Sequence, residues 1–151
     1  MSIFNSMNTS ASGLTAQRLR MDIVSSNVAN AQSTRATINE DGEFEPYRRK
    51  MVTLQSEQNQ FKNVLKHATS SSSTSTSGVK ATSITEDNTP FNLVYNPQHP
   101  DANEQGYVEM PNVDPLKEMV DLMSATRSYE ANITAFNASK GMLMKALEIG
   151  K

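Results

Sequence analysis

Apolar and small residues near the start of the chain recur in steps of three and four. They fall at Phe4, Met7, Ala11, Leu14, Met21, Ser25 and Val28, with Arg18 interrupting. That spacing predicts a helix over residues 3–30. Near the other end, Met119, Leu122, Thr126, Tyr129, Ile133, Phe136, Lys140, Leu143 and Leu147 alternate between the same two steps without a break. Asp114 followed by Pro115 offers an N-cap and a first helical position, and Gly150 a stop, so a second helix is predicted within residues 113–149. A second apolar set, Leu116, Val120, Met123, Met142, Ala146 and Ile149, lies beside that seam. At 1.5 Å per residue this helix is about 50 Å long, longer than so small a globule is thick.

Between the helices the period shortens. Residues 47–55 place Tyr47, Arg49, Met51 and Thr53 on one face and Arg48, Lys50, Val52 and Leu54 on the other, the alternation of a strand. Residues 78–85, 91–95 and 106–110 are further strand candidates. Asn96-Pro97 and His99-Pro100-Asp101 mark turns. Thr69 to Ser77 is an uninterrupted run of Ser and Thr, which supplies no core and predicts a flexible loop; a glycosylated or partner-ordered loop is the alternative.

The expected fold is α+β. Long N- and C-terminal helices pack as an antiparallel coiled-coil-like hairpin, with a small irregular β region between them. The expected divisions are residues 1–34, 35–112 and 113–151.

Composition sharpens this. The chain has 151 residues, of which 36% are hydrophobic, and it lacks Trp, so one domain with a thin core is the expectation. Before Arg35 the charged residues are Arg18, Arg20 and Asp22. A helix facing water normally carries charge on its outer face. Here Ser, Thr and Asn fill that role, and they are mediocre helix formers. The N-terminal helix is therefore expected to be weak alone and surrounded by protein. The C-terminal helix likewise carries Met, Ala, Ser and Asn on its outer side. Two helices cannot cover both apolar seams, so the chain reads as an assembly subunit completed by copies or partners.

Candidate interface residues follow. Tyr129, Ile133 and Phe136 are expected to meet Leu14 and Met21. Met119, Val120 and Met123 serve in part an interface, with an ordinary core as the alternative, and Leu122 is expected to be needed for assembly. Arg127 and Glu130 form contacts between subunits or an exposed pair of little worth. Asn27 and Asn30 close the first helix, as buried amides at a chain turn or as a frayed end.

Other chemistry finds little support. With no Cys, disulfides, thiolate zinc sites and cysteine nucleophiles are excluded. His67 and His99 lack zinc-ligand spacing, and no phosphate-binding glycine loop or serine elbow occurs. The acidic run at residues 40–45 lacks calcium-loop spacing. No metal, cofactor or catalytic residue is expected. A net charge of −2 argues against nucleic-acid binding, and no apolar run is long enough to insert in a membrane. Residues 1–17 lack the pattern of a secretory signal.

Two terminal motifs resemble a known family. Ser12-Gly13-Leu14-Thr15-Ala16-Gln17-Arg18-Leu19-Arg20-Met21-Asp22 followed by Ser26-Asn27-Val28-Ala29-Asn30-Ala31 is similar to the N-terminal motif of bacterial flagellar rod and hook proteins. Asn112-Val113-Asp114, Glu118-Met119-Val120 and Arg127-Ser128-Tyr129-Glu130-Ala131-Asn132 resemble that family's C-terminal motif. Within the family, Pro90-Phe91-Asn92-Leu93-Val94-Tyr95-Asn96-Pro97, Pro46-Tyr47-Arg48-Arg49-Lys50 and the short middle region resemble the proximal rod members.

The resemblance implies a structural subunit that polymerises helically into the drive shaft of the basal body, with the terminal helices as its inner tube. It implies as partners copies of the chain, proximal and distal rod subunits, the adaptor at the export gate and membrane ring, and the flagellar type III export apparatus. It also implies a rod crossing the periplasm, reached without a cleaved signal. Asn112 and Asp114 join the candidate interface on this ground. Another rod or hook subunit, or a secreted coiled-coil adhesin or effector, is the alternative.

Overall fold

The computed structural model describes residues 3–38, 42–57 and 78–150. Along the chain these form α1 (Ile3–Ala29), β1 (Thr37–Ile38), β2 (Phe44–Glu45), β3 (Lys50–Ser56), β4 (Val79–Glu86), β5 (Asn92–Tyr95), β6 (Tyr107–Met110) and α2 (Pro115–Ile149). Among the described residues three two-stranded sheets pair β1 with β2, β3 with β4, and β5 with β6. The fold is α+β, with two long helices packed on each other and small strand pairs between them in sequence. The Ser/Thr run lies outside the described residues.

The chain divides into two compact units. One gathers residues from 1–20, 53–83 and 124–151. In it α1 and α2 approach closely at Gly13, where an added Cβ would lie 3.1 Å from the side-chain oxygen of Asn132. Ala16 and Ala125 are buried beside this contact level, and small residues permit such an approach. The Ser12 hydroxyl donates to the Thr9 carbonyl at 2.7 Å and accepts the Val79 N–H at 3.0 Å, which pins the start of β4 to α1. Gly78 leaves room for this, since a Cβ there would fall 2.6 Å from the Ser12 hydroxyl.

The other unit holds residues from 21–52 and 84–123. Its β5 and β6 are antiparallel, with Asn92 opposite Met110 and Tyr95 opposite Tyr107. Opposite residues share a face, so Val94 and Val108 lie together and Val108 is buried. On the other face the Tyr95 and Tyr107 rings meet edge-on, their centroids 5.3 Å apart. Gly106 before β6 has φ of 81°, in the left-handed region, and a Cβ there would meet the Tyr95 ring at 2.9 Å.

The buried stripe of α2 differs in part from the expected seam. The stripe runs through Glu118, Leu122, Ala125, Tyr129, Asn132, Phe136, Ser139 and Leu143, each buried or half-buried. Leu122, Tyr129, Phe136 and Leu143 sit where the spacing put them. At the alternate positions Glu118, Ala125, Asn132 and Ser139 turn inward, while Met119, Ile133 and Lys140 are exposed and Thr126 is half-buried. Apolar periodicity marks bulky residues, whereas this contact uses small and hydrogen-bonded ones. On α1, likewise, Ala16, Val24 and Asn27 are buried, Leu14 and Met21 are half-buried, and Ala11 and Ser25 are exposed.

The third strand also starts later than its alternation predicts, at Lys50 rather than residue 47. The preceding N–H groups are committed elsewhere. Tyr47 donates to the Ser33 carbonyl at 3.1 Å and Arg49 to the Asn112 side chain at 2.9 Å. The pair β1–β2 has two residues per strand, too few to show an alternation.

Candidate functional site

The second unit is built around a carboxylate buried completely. Glu118 is 0% exposed and Asn27 1%. Asp114 sets the position of Glu118 by capping α2. Its carboxylate accepts the Leu116 N–H at 3.0 Å, and its backbone carbonyl accepts the Glu118 N–H at 3.1 Å. One turn in, the Glu118 side chain points inward. One oxygen accepts Arg49 Nε at 2.6 Å, and the other accepts Asn27 Nδ2 at 3.0 Å.

Asn27 uses its whole amide. Its Nδ2 also donates to the Lys50 carbonyl at 2.9 Å, while its Oδ1 accepts the Lys50 N–H at 3.0 Å and the Tyr47 hydroxyl at 3.0 Å. Towards Lys50 it behaves as a neighbouring strand would, offering one donor and one acceptor. Asn112 does the same nearby. Its Oδ1 accepts the Arg49 N–H, and its Nδ2 donates to the Asp87 carbonyl at 3.1 Å and the Thr89 hydroxyl at 2.9 Å. Two asparagines thus stand in for missing strands where β3 begins and β4 has just ended.

Arg49 balances several acids: besides Glu118, its guanidinium lies 3.7 Å from Asp87 and 3.8 Å from Asp121. Burial disfavours its charged form, but the hydrogen bond and charge of Glu118 with the two aspartates outweigh this, so its pKa is raised above the ordinary arginine value. Asp87 is held below the usual carboxylate range, chiefly by the Thr89 N–H at 3.0 Å, with Arg49 adding to it.

A second anchor ties the turn after β5 to the segment after α1. Asp101 accepts the Thr34 hydroxyl at 2.8 Å and Arg35 Nε at 2.7 Å. Arg35 and then Thr34 lower the Asp101 pKa. A lowered value means that this anchor is complete above the ordinary carboxylate range, about pH 4, and is lost as pH falls through the folded-state value. The Arg35→Gln variant is expected to move the Asp101 titration midpoint up toward that range, read from its carboxyl carbon by NMR. An unmoved midpoint contradicts this.

The expected interface residues separate into two groups. Asn27 joins the buried network through Glu118 and Asn112 through Arg49, and Asp114 caps the helix that carries Glu118. Asn30 closes α1 locally, donating to the Ser26 carbonyl at 2.9 Å and accepting the Ser33 hydroxyl at 3.2 Å. Leu14, Met21, Leu122, Tyr129 and Phe136 are half-buried. By contrast, Met119, Val120, Met123 and Ile133 lie exposed on α2, at 52%, 55%, 61% and 37%. Arg127 pairs with Glu130 at 3.2 Å in the open. Sequence reasoning missed Arg49, Tyr47 and Glu118 as one cluster. A signal existed in the charged run at residues 48–50 of a chain with so few apolar residues.

Among the described residues no three His, Cys, Asp or Glu side chains are grouped to hold a metal ion, and no helix is long and apolar enough to cross a membrane.

The sequence matches two family descriptions. Residues 7–37 match "Flagella basal body rod protein" and residues 104–149 match "Flagellar basal body rod FlgEFG protein C-terminal". A flagellar basal-body rod protein FlgC of Bacillus subtilis is 64% identical over 151 residues, spanning 100% of both chains. One of Borreliella burgdorferi is 41% identical over 160 residues, spanning 99% of this chain and 98% of its own. One of Salmonella typhimurium is 40% identical over 151 residues, again spanning 100% of both.

Proposed function

Because this chain belongs to the flagellar basal-body rod protein family, we propose that its two helices polymerise with those of copies and other rod subunits into the wall of a hollow drive shaft. The chain is a structural subunit of the basal-body rod. Its helical ends, residues 1–34 and 113–151, form the inner tube in this reading, and residues 35–112 lie outside it. Torque passes through interdigitated side chains, because close-packed interfaces deform little.

The observation that supports this best is the uncovered side of α2. Leu116, Met119, Val120 and Met123 crowd its first three turns and are all exposed. Grouped exposed apolar residues of this kind mark an interaction surface. Met is suited to neighbours that differ, since its side chain repacks easily. Leu14, Met21, Tyr129 and Phe136 then join the helices within one subunit. Arg127, Glu130 and Ile133 face the next. The axial partners are proximal and distal rod subunits and the adaptor at the export gate. Delivery through the type III export channel, without a cleaved signal, places the shaft across the periplasm.

Cysteine cross-linking tests this directly, because the chain has no Cys of its own. Single cysteines at Val120 and Ile133 should give oxidised dimers and higher species in isolated basal bodies. Basal bodies that hold the protein yet yield no cross-linked product from any exposed α2 position would overturn the helix-wall reading.

A further inference from the structure

We propose that Asn27, Arg49 and Glu118 form a coincidence lock: within the second unit, α1 and α2 close on each other only when the root of the β3–β4 hairpin has docked.

Glu118 lies on the face of α2 that meets α1, and it is sealed from water. A carboxylate in that position is tolerated only if its lone pairs are filled. α1 supplies one donor, from Asn27. The charge-bearing donor comes from neither helix. It comes from Arg49, the residue just before β3. Two helices alone would therefore bring together a buried carboxylate and a single neutral amide.

Asn27 repeats the logic from the other side. Three of its four bonds go to residues 47 and 50 and one goes to Glu118. Without the 47–50 segment, its amide would also be buried short of partners. Arg49 is held to the task by Asn112, which accepts its N–H, and by the Asp87 N–H, which donates to its carbonyl at 2.8 Å. The hairpin root thus holds the guanidinium where it reaches Glu118.

An apolar pair of helices would close whenever the two met. The polar contact makes closure conditional on a third segment. Buried polar groups that specify one arrangement at the expense of others are a known physical device.

The experiment is amide hydrogen exchange on the full chain, read at residues 21–29, 47–52 and 115–123. In the wild type all three segments should be protected. Arg49→Ala should raise exchange in all three by about tenfold or more, because the carboxylate is stranded. In the triple variant Asn27→Leu/Arg49→Ala/Glu118→Leu, which removes both polar groups that need the hairpin root, protection should return at 21–29 and 115–123 while 47–52 stays fast. That separation is the mark of a lock removed, and a merely weakened fold would not produce it. The proposal fails if the wild type is unprotected at 115–123, if Arg49→Ala leaves the helices protected, or if the triple variant is as labile there as the single one.

Discussion

Replacing Val120 and Met123 together by glutamate leaves the single chain folded and abolishes its assembly into the rod. Both side chains stand on the open side of α2, more than half exposed. Neither belongs to the buried stripe of that helix, so the fold of one chain loses nothing of consequence. Glutamate is also a better helix former than valine. Inside a packed interface the balance reverses. Each carboxylate must be desolvated without a partner, at several kcal/mol apiece after relaxation. The penalty recurs at every subunit of a helical lattice. Far-UV circular dichroism and urea unfolding of the purified variant should match the wild type. Motility and basal-body incorporation should be lost in cells carrying only the variant. A motile strain with the variant in its basal bodies would remove this face of α2 from the interface.

The contrast with α1 and α2 at their mutual contact shows what a sequence can reveal here. The spacing of apolar residues located both helices, because a step of three and four over many turns has no other simple cause. It also placed Leu122, Tyr129, Phe136 and Leu143 on the inner side of α2. It placed Met119 and Ile133 there as well, yet these are exposed. Hydrophobicity is a guide to burial only when the chain has covered its own surface. In a subunit, bulky apolar residues are divided between an intramolecular seam and a face left open, and the apolar pattern alone carries no mark of the division. The small residues Gly13, Ala16, Ala125 and Ser139 were the clue, since they gather where two backbones come close.

The polar network was harder to read for a different reason. Asn27 sits at a helix end, where asparagine is unremarkable as a cap or a frayed tail. Its partners Tyr47, Lys50 and Glu118 are 20, 23 and 91 positions away. No local period links them. The alternation at residues 47–55 suggested a strand, and the backbone of 47–49 instead serves asparagine and serine partners. The terminal motifs marked Asn27, Asn112 and Asp114 as places of interest. Geometry alone shows that Arg49 bonds both Asn112 and Glu118, and that Glu118 in turn bonds Asn27.

Asn27 is also the position where a small change of side chain should do most harm. In Asn27→Ala, the Lys50 N–H and carbonyl, the Tyr47 hydroxyl and one Glu118 oxygen each lose a bond, and a loss of about 2–4 kcal/mol is expected. In Asn27→Asp the shape is kept and the acceptor side still serves Lys50 and Tyr47. The donor is gone, however, and a second carboxylate oxygen takes its place. It would face Glu118 and the Lys50 carbonyl, which Nδ2 reaches at 3.0 Å and 2.9 Å. At neutral pH three oxygens then converge with no proton among them, so the aspartate variant should be less stable than the alanine one. The sign with pH separates the two. Paired carboxylates hold a proton more tightly in the folded chain than in the unfolded one, so folding takes up a proton and the aspartate variant regains stability as pH falls. The bound proton restores the missing donor. Alanine offers nothing to protonate, so its deficit against the wild type should not shrink in the same range. Urea midpoints for both variants between pH 7 and about pH 5 test this, well above the range where ordinary carboxylates titrate. Parallel pH curves for the two variants would mean that the residue 27 side chain does not face Glu118 across a dry contact.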